Sequence, residues 1–171
     1  MRPDGQHIRM IGAALIERDD QLLLVQLADG PFAGFWLLPS VSIDDGTVDS
    51  AIATMVFART GHPVLQSHLI SVIQEPKIGT LALRFLFRVR VGDRLSGITD
   101  HDIAQARWFS RDAVHELLEE RDTVPNLGVM SVIRAWVDGV ELAPLETLLN
   151  DALCPCGSGF RFTGCCGWDA T

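Results

Sequence analysis

The chain has 171 residues, which is enough for one domain with a hydrophobic core and a short appendage, and too few for two ordinary domains. Its formal net charge of −8 and isoelectric point near 4.9 argue against tight binding to a nucleic-acid backbone, which needs a basic surface. Apolar residues make up 47% of the sequence and no low-complexity stretch is present, so we expect a folded protein.

The sequence shows neither an export signal nor a membrane segment. The apolar run before Glu17 is too short for a signal peptide. The longest weakly charged stretch, Gln21 to Ile43, is interrupted by glycines and prolines that a membrane-spanning helix does not tolerate. All four cysteines lie within the last 18 residues, unlike the cysteines of a secreted domain held by disulfides. We therefore expect a cytoplasmic protein.

The first half of the chain predicts a β-hairpin, a short strand and a helix. Two apolar runs, Met10 to Ile16 and Leu22 to Leu27, flank a polar turn and form the hairpin. The short strand covers Phe35 to Pro39 and is stopped by the proline. From Ser50 to Thr60 apolar residues recur at helical spacing, with Asp49 as the expected N-cap and a glycine directly after the helix.

Three further strands and a helix follow. Val64 to Gln74 predicts a strand, and Leu81 to Val91 predicts another in which apolar residues alternate with arginines. We expect one face of the second strand to lie in the core and the arginines to point to solvent. Ala104 to Phe109 is a third strand, and Ser110 caps the helix that comes next.

The last long helix opens at Pro125 and ends at Gly139, and Pro144 to Ala152 predicts a short helix. Strands in mixed order, with helices between and after them, predict an α/β fold whose sheet is covered on both sides. The expected organisation is a main domain over residues 1–140, a helical linker over 141–152 and a cysteine-rich tail over 153–171.

The segment WLLPSVSIDDGTVDSAIATMVFARTGHPV, followed by RFLFRVRV and QARWFSRDAVHELL, resembles the Nudix hydrolase family over roughly residues 8 to 121. The positions that fit the family frame are Trp36, Leu38, Pro39, Gly46 and Gly61. The resemblance implies an α/β/α sandwich with a mixed sheet. It also implies a box in which helix glutamates hold divalent cations, which activate water for attack on a diphosphate.

The helix of this box lacks the glutamates that the family places there. Aligned back from Gly61, the acidic positions fall on Met55, Ala58 and Arg59. Counted forward from Gly46, they fall on Thr47, Val56, Arg59 and Thr60. No glutamate occurs between Glu17 and Glu75, so no local shift of the alignment supplies one. We therefore assign no catalytic residue and expect metal-dependent diphosphate hydrolysis to be absent or very slow.

Three neighbouring positions also depart from the family. Ser40 and Val41 replace paired glycines, and a β-branched valine tolerates a positive φ poorly, so we expect a reshaped loop. Gln105 replaces a further glutamate that many members have near the site.

Candidate ligand-binding residues are Arg84, Arg88, Asp44 and Asp45. The arginines can pair with a ligand phosphate, although alternating arginines more often form a solvated face. The aspartates can hold a cation, although aspartates in such a turn more often form the turn itself. For His101, between two aspartates, a loop position is likewise commoner than an acid–base or metal-binding role.

Three functions remain open at this point. The first is a non-catalytic module that binds a nucleotide or another small ligand, or docks onto a protein. The alternative is a divergent hydrolase of nucleoside diphosphate-linked substrates that holds Mg²⁺ through Asp44, Asp45 or Asp49 with Glu75 or Glu116. A purely structural scaffold is the third.

The tail contains Cys154-Pro-Cys156, an eight-residue spacer and the pair Cys165-Cys166. This spacing resembles the SEC-C zinc motif and implies a knuckle in which four thiolates hold one structural Zn²⁺. Two disulfides or four free thiols are the alternatives. The spacer has Phe160 to Phe162 where family copies often have lysines, which favours a protein partner over nucleic acid.

Overall fold

The computed structural model describes residues 7–77, 80–123, 126–141 and 145–147. In chain order the strands are β1 (His7–Arg18), β2 (Gln21–Leu27), β3 (Trp36–Leu37), β4 (Ser40–Ser42), β5 (Val64–Lys77), β6 (Thr80–Val91), β7 (Ile103–Ser110) and β8 (Leu145–Thr147). The helices are α1 (Val48–Thr60), α2 (Arg111–Glu119) and α3 (Leu127–Asp138). Among the described residues, no helix has the length and apolar character that crossing a membrane demands.

The strands form one mixed sheet in the order β3-β2-β1-β6-β5-β8, with β4 added to β1 and β7 to β2. At its centre β1 and β6 pair in parallel, from His7 opposite Thr80 to Ile16 opposite Val89. β5 and β6 form a long antiparallel pair. The predicted hairpin of β1 and β2 is present, and both residues of its turn, at positions 19 and 20, have positive φ.

Helices cover both faces of this sheet. On one face Ile52 and Val56 of α1 pack against alternate residues of β1, β2 and β6, including Phe87. On the other face α2 and α3 pack against the intervening residues of the same strands, such as Leu15 and Leu86. The predicted α/β architecture with a mixed sheet covered on both sides is therefore confirmed.

The ends of α1 follow from two capping residues. Thr47 is the N-cap, because its backbone is extended and its hydroxyl accepts a hydrogen bond from the Ser50 N–H at 3.3 Å. The predicted N-cap, Asp49, was wrong by two residues and lies in the first turn, where its charge favours the helix dipole. The helix ends at Gly61 as predicted, with φ of 75° and no room for a Cβ beside the Ser96 carbonyl.

The expectation that the arginines of β6 all point to solvent is wrong for Arg84. Its side chain is 4% exposed, and its Nε donates to Glu75 Oε1 at 2.9 Å. Its Nη2 donates to Oδ1 of Asn126, the N-cap of α3, at 3.3 Å. Arg88 and Arg90 are exposed. Because α3 covers this face of the sheet, part of the polar side of β6 also lies in the core.

The predicted helical linker is wrong for residues 145–147, which form β8 parallel to residues 72–74 of β5. Without β8, β5 would be the edge strand of the sheet, and an open strand edge readily pairs with a further strand. Pro125, the other linker residues from 142 onwards and the cysteine tail lie outside the described residues.

A substitution at Gly128 tests how α3 packs on the sheet, because a Cβ at this position would overlap the Glu75 carboxylate. Gly128→Ala should disrupt the buried ion pair between Glu75 and Arg84 and lower the free energy of unfolding by about 3 kcal/mol. Urea denaturation measures this change. Gly97→Ala is the matched control, since nothing lies within 4 Å of its Cβ position. Equal stabilities of the two variants would contradict this packing.

Candidate functional site

A groove of about 370 Å³ runs along one side of α1. Its walls come from α1, from residues 45–47 before the helix, from Val41 of β4 and from Asp100 in the loop between β6 and β7. The α1 residues that line it are Ser50, Ala51, Thr54, Met55, Ala58 and Arg59. From residue 47 to residue 59 the helix axis spans about 18 Å, so the groove follows the whole of α1.

The positions that the resemblance makes acidic in the register counted back from Gly61 are Met55, Ala58 and Arg59, and all three line this groove. In the register counted forward from Gly46, Thr47 and Arg59 line it, whereas Val56 and Thr60 are buried. Met55 is 5% exposed and also belongs to the core beneath α1. At the first three positions the helix offers a thioether, a methyl group and a guanidinium. None of the three is an oxygen donor of the kind that Mg²⁺ requires.

Arg59 is held in the groove by Asp100. Its Nε donates to Asp100 Oδ2 at 2.8 Å, and the two side chains are 15% and 20% exposed. The loop that carries Asp100 is attached to the same helix, because the backbone N–H groups of Thr99 and Asp100 donate to the Ala58 carbonyl at 2.8 and 3.2 Å. The groove therefore contains a fixed positive charge where the resemblance implies a metal ion.

Sequence reasoning missed Asp100, which is 41 residues from Arg59 and was noted only as a neighbour of His101. The ligand atoms of Asp100, His101 and Asp102 lie within 4.8 Å of one another. However, Oδ2 of Asp100 already pairs with Arg59, and its Oδ1 accepts a hydrogen bond from the Asp102 N–H at 3.0 Å. We therefore assign Asp100 to the positioning of Arg59 and propose no metal ion there.

The structure does not bring together the carboxylates of the divergent-hydrolase alternative. Asp44, Asp45 and Asp49 are exposed around the start of α1. Glu75 is buried in its ion pair under α3, and Glu116 is exposed on α2. Because α2 and α3 cover the face of the sheet opposite to α1, a metal site made from these groups would need ligands from both sides of the sheet.

The four predicted ligand-binding residues are also divided between the two sides. Asp45 lines the α1 groove, and Asp44 is exposed in the same turn. Arg84 is enclosed under α3 and pairs with Glu75, so it is not accessible to a ligand. Arg88 lines a second cleft, which lies beneath α3.

The other positions that depart from the family pattern are Ser40, Val41 and Gln105. Ser40 and Val41 belong to β4 and pair with β1, and neither is among the described residues with positive φ. The two residues therefore adopt extended backbone, which any residue tolerates. Gln105 is not one of the groove residues; its Nε2 donates to Gln26 Oε1 at 2.7 Å.

No protein-family model and no curated protein matches the chain. Among solved structures, a NUDIX hydrolase from Nitrosomonas europaea matches with a TM-score of 0.66 and 27% identity, covering 80% of this chain and 92% of that one. A second NUDIX hydrolase from the same organism has a TM-score of 0.65 and 19% identity, with 84% and 80% covered. The NUDIX domain of Shewanella oneidensis NrtR, solved in complex with ADP-ribose, has a TM-score of 0.53 and 16% identity, with 65% and 77% covered. The chain therefore has the Nudix fold.

Proposed function

We propose that this chain is a Nudix-fold binding module that does not hydrolyse its ligand and that binds an anionic group directly through Arg59, without a metal ion. The observation that carries this proposal is the composition of the α1 groove. The positions expected to be acidic are Met55, Ala58 and Arg59, and Asp100 holds the arginine in place. Arg59 occupies Asp100, a carboxylate that a divalent cation would otherwise use, and its remaining N–H groups can donate to phosphate oxygens.

The pair with Asp100 leaves most of the hydrogen-bonding capacity of Arg59 for a ligand. It occupies Nε, and among the described residues no other protein partner contacts the guanidinium. A guanidinium carries five N–H donors in a planar fork that matches phosphate oxygens. The hydroxyl-bearing residues Thr47, Ser50 and Thr54 also line the groove and can bond to the uncharged parts of a ligand.

The ligand class that best fits is a nucleoside diphosphate derivative. The groove volume of about 370 Å³ lies at the lower end of small-molecule sites, about 300–1,000 Å³. The NrtR domain, which has the same fold, was solved with ADP-ribose, a ligand of this class. In this proposal the diphosphate pairs with Arg59 at the end of α1. Asp45 lies at the other end of the groove, near the start of α1, so its negative charge favours a diphosphate at the Arg59 end.

The cysteine tail has a separate role in this proposal. Cys154, Cys156, Cys165 and Cys166 bind one structural Zn²⁺, because four thiolates suit its tetrahedral geometry and leave no position open for water. A segment this short lacks a hydrophobic core, so metal binding would supply its folding free energy. The aromatic residues between the cysteine pairs would then contact a protein partner.

Thermal stability in the presence of ADP-ribose tests whether the α1 groove binds a nucleoside diphosphate derivative. ADP-ribose should raise the thermal midpoint of the protein in the absence of divalent cations, because ligand binding stabilises the folded state. Arg59→Gln should abolish this shift, whereas Arg90→Gln, which changes an exposed arginine of β6, should keep it.

With Mg²⁺ or Mn²⁺ added, nucleoside diphosphate derivatives should release no phosphate product. Metal-dependent turnover above about 1 s⁻¹ would refute the non-catalytic assignment.

Replacing the groove residues with carboxylates tests why metal is excluded. The double variant Ala58→Glu with Arg59→Glu should bind Mn²⁺ at least about tenfold more tightly than the unmodified protein, since two carboxylates then face the groove. Titration followed by electron paramagnetic resonance measures free Mn²⁺. Ala53→Glu with Arg90→Glu is the matched control, because it changes the net charge equally at two exposed positions. If both double variants gain the same affinity, the effect is one of overall charge and the explanation fails.

The zinc assignment predicts about one zinc ion per chain in elemental analysis of protein purified without chelator. Cys154→Ser and Cys165→Ser should each lower that content strongly, because three thiolates hold zinc less tightly than four. A zinc content near zero in the unmodified chain would disprove the assignment. Counting free thiols after denaturation then distinguishes disulfides from reduced cysteines.

A further inference from the structure

A second and larger cleft, of about 760 Å³, lies on the face of the sheet that α3 covers. It opens between strands β1, β5 and β6 and the C-terminal half of α3. Six of its eleven described lining residues are apolar, namely Leu15, Ile70, Val132, Ala135, Trp136 and Val140. Its volume falls within the range of sites that enclose small organic molecules, about 300–1,000 Å³.

Arg111 holds one side of this cleft in place. Its Nη2 donates to Asp20 Oδ1 at 2.8 Å, and its Nη1 donates to the carbonyls of Trp136 and Val137. The guanidinium also lies 4.4 Å from the centroid of the Trp136 ring. These contacts tie the last turn of α3 to the β1–β2 turn. The wall is therefore preformed, and Arg111 itself is engaged with the protein.

The other charged residues of the cleft are less constrained. Arg88 is 57% exposed, and its Nε is 3.5 Å from a carboxylate oxygen of Glu17, longer than a good charge-assisted hydrogen bond. Among the described residues Arg88 has no other partner. Glu141 is exposed at the same cleft and forms no ion pair within the described part of the chain. Apart from Arg111, the described lining residues of the cleft include one cation, Arg88, and two carboxylates, Glu17 and Glu141.

We propose that this cleft binds a small zwitterion with an apolar body, of the size of an apolar dipeptide. The ligand carboxylate pairs with Arg88, its ammonium group pairs with Glu141, and its side chains lie against Val132, Ala135 and Trp136. A zwitterion fits the cleft better than a diphosphate, because a diphosphate has no cationic group to pair with Glu141. An uncharged apolar ligand would leave both charged contacts unused, whereas a carboxylate matches the arginine fork.

This site is independent of the α1 groove, because the two lie on opposite faces of the sheet and share no lining residue. Either proposal can therefore fail without the other. The second site gives Arg88 the ligand contact that the sequence suggested for it, with a carboxylate as the partner instead of a phosphate.

Isothermal titration of the full-length protein with Leu-Leu and Phe-Leu tests the proposal. The free dipeptides should bind, and N-acetylated or C-amidated forms should bind at least about tenfold more weakly, since each lacks one charged contact. Arg88→Met should weaken binding by a similar factor. Arg90→Met, an exposed arginine on the same strand, should leave it unchanged. Ala135→Trp fills the cleft and should abolish binding.

Three results would overturn the proposal. The first is no measurable heat with any dipeptide at concentrations up to about 1 mM. The second is equal affinity for free and blocked dipeptides. The third is full binding by the Arg88→Met variant. Circular dichroism establishes whether Ala135→Trp is folded. If it is not, the surface variant Arg88→Met decides alone, because its side chain is more than half exposed and contributes little to folding.

Discussion

The parallel pairing of β1 with β6 is the constraint on which the rest of the structure depends. It places both strands in the middle of a sheet that needs cover on both faces, because parallel strands lack the polar face of a solvated antiparallel sheet. Successive side chains then enter different cores: Leu86 faces α2 and α3, whereas Phe87 faces α1. Because of the same alternation, the α1 groove and the larger cleft beneath α3 lie on opposite faces of the sheet, and each is lined by different charged residues.

The position of α3 depends on a polar contact at each of its ends. Its N-terminus lies over the buried pair of Glu75 and Arg84, which also bonds to the N-cap Asn126. Such a pair adds little net stability, but breaking it leaves an uncompensated buried charge, so it specifies where the helix lies. At the other end Arg111 bonds to the last carbonyls of α3. Between these contacts the apolar side of α3 forms the wall of the larger cleft.

The residues that line the α1 groove differ in charge from the pattern that the Nudix resemblance implies. In the Nudix pattern, glutamates on the helix coordinate divalent cations, and these cations bind the diphosphate. Here the corresponding helix face carries Arg59, which Asp100 positions, and in the proposed function its guanidinium would contact the ligand without a metal ion. The protein as a whole has a net charge of −8, so an anion meets no long-range attraction. Under the proposed function, recognition in the groove would therefore depend on short contacts, which are specific in geometry.

The sequence by itself determined the order and type of the elements up to residue 139 except β4, whose residues it placed in a loop. The other elements were predictable because strand and helix periodicities are local, as are caps such as Ser110 and Gly61. It also determined that α1 has no glutamate. Only the tertiary structure decided that Asp100 meets Arg59, that the first arginine of β6 is buried, and that part of the expected linker helix is a strand. The physical reason is that alternation shows which residues share a face of a strand, but not which layer covers that face. Contacts between residues far apart in the chain follow from the packing of layers, which no local pattern encodes.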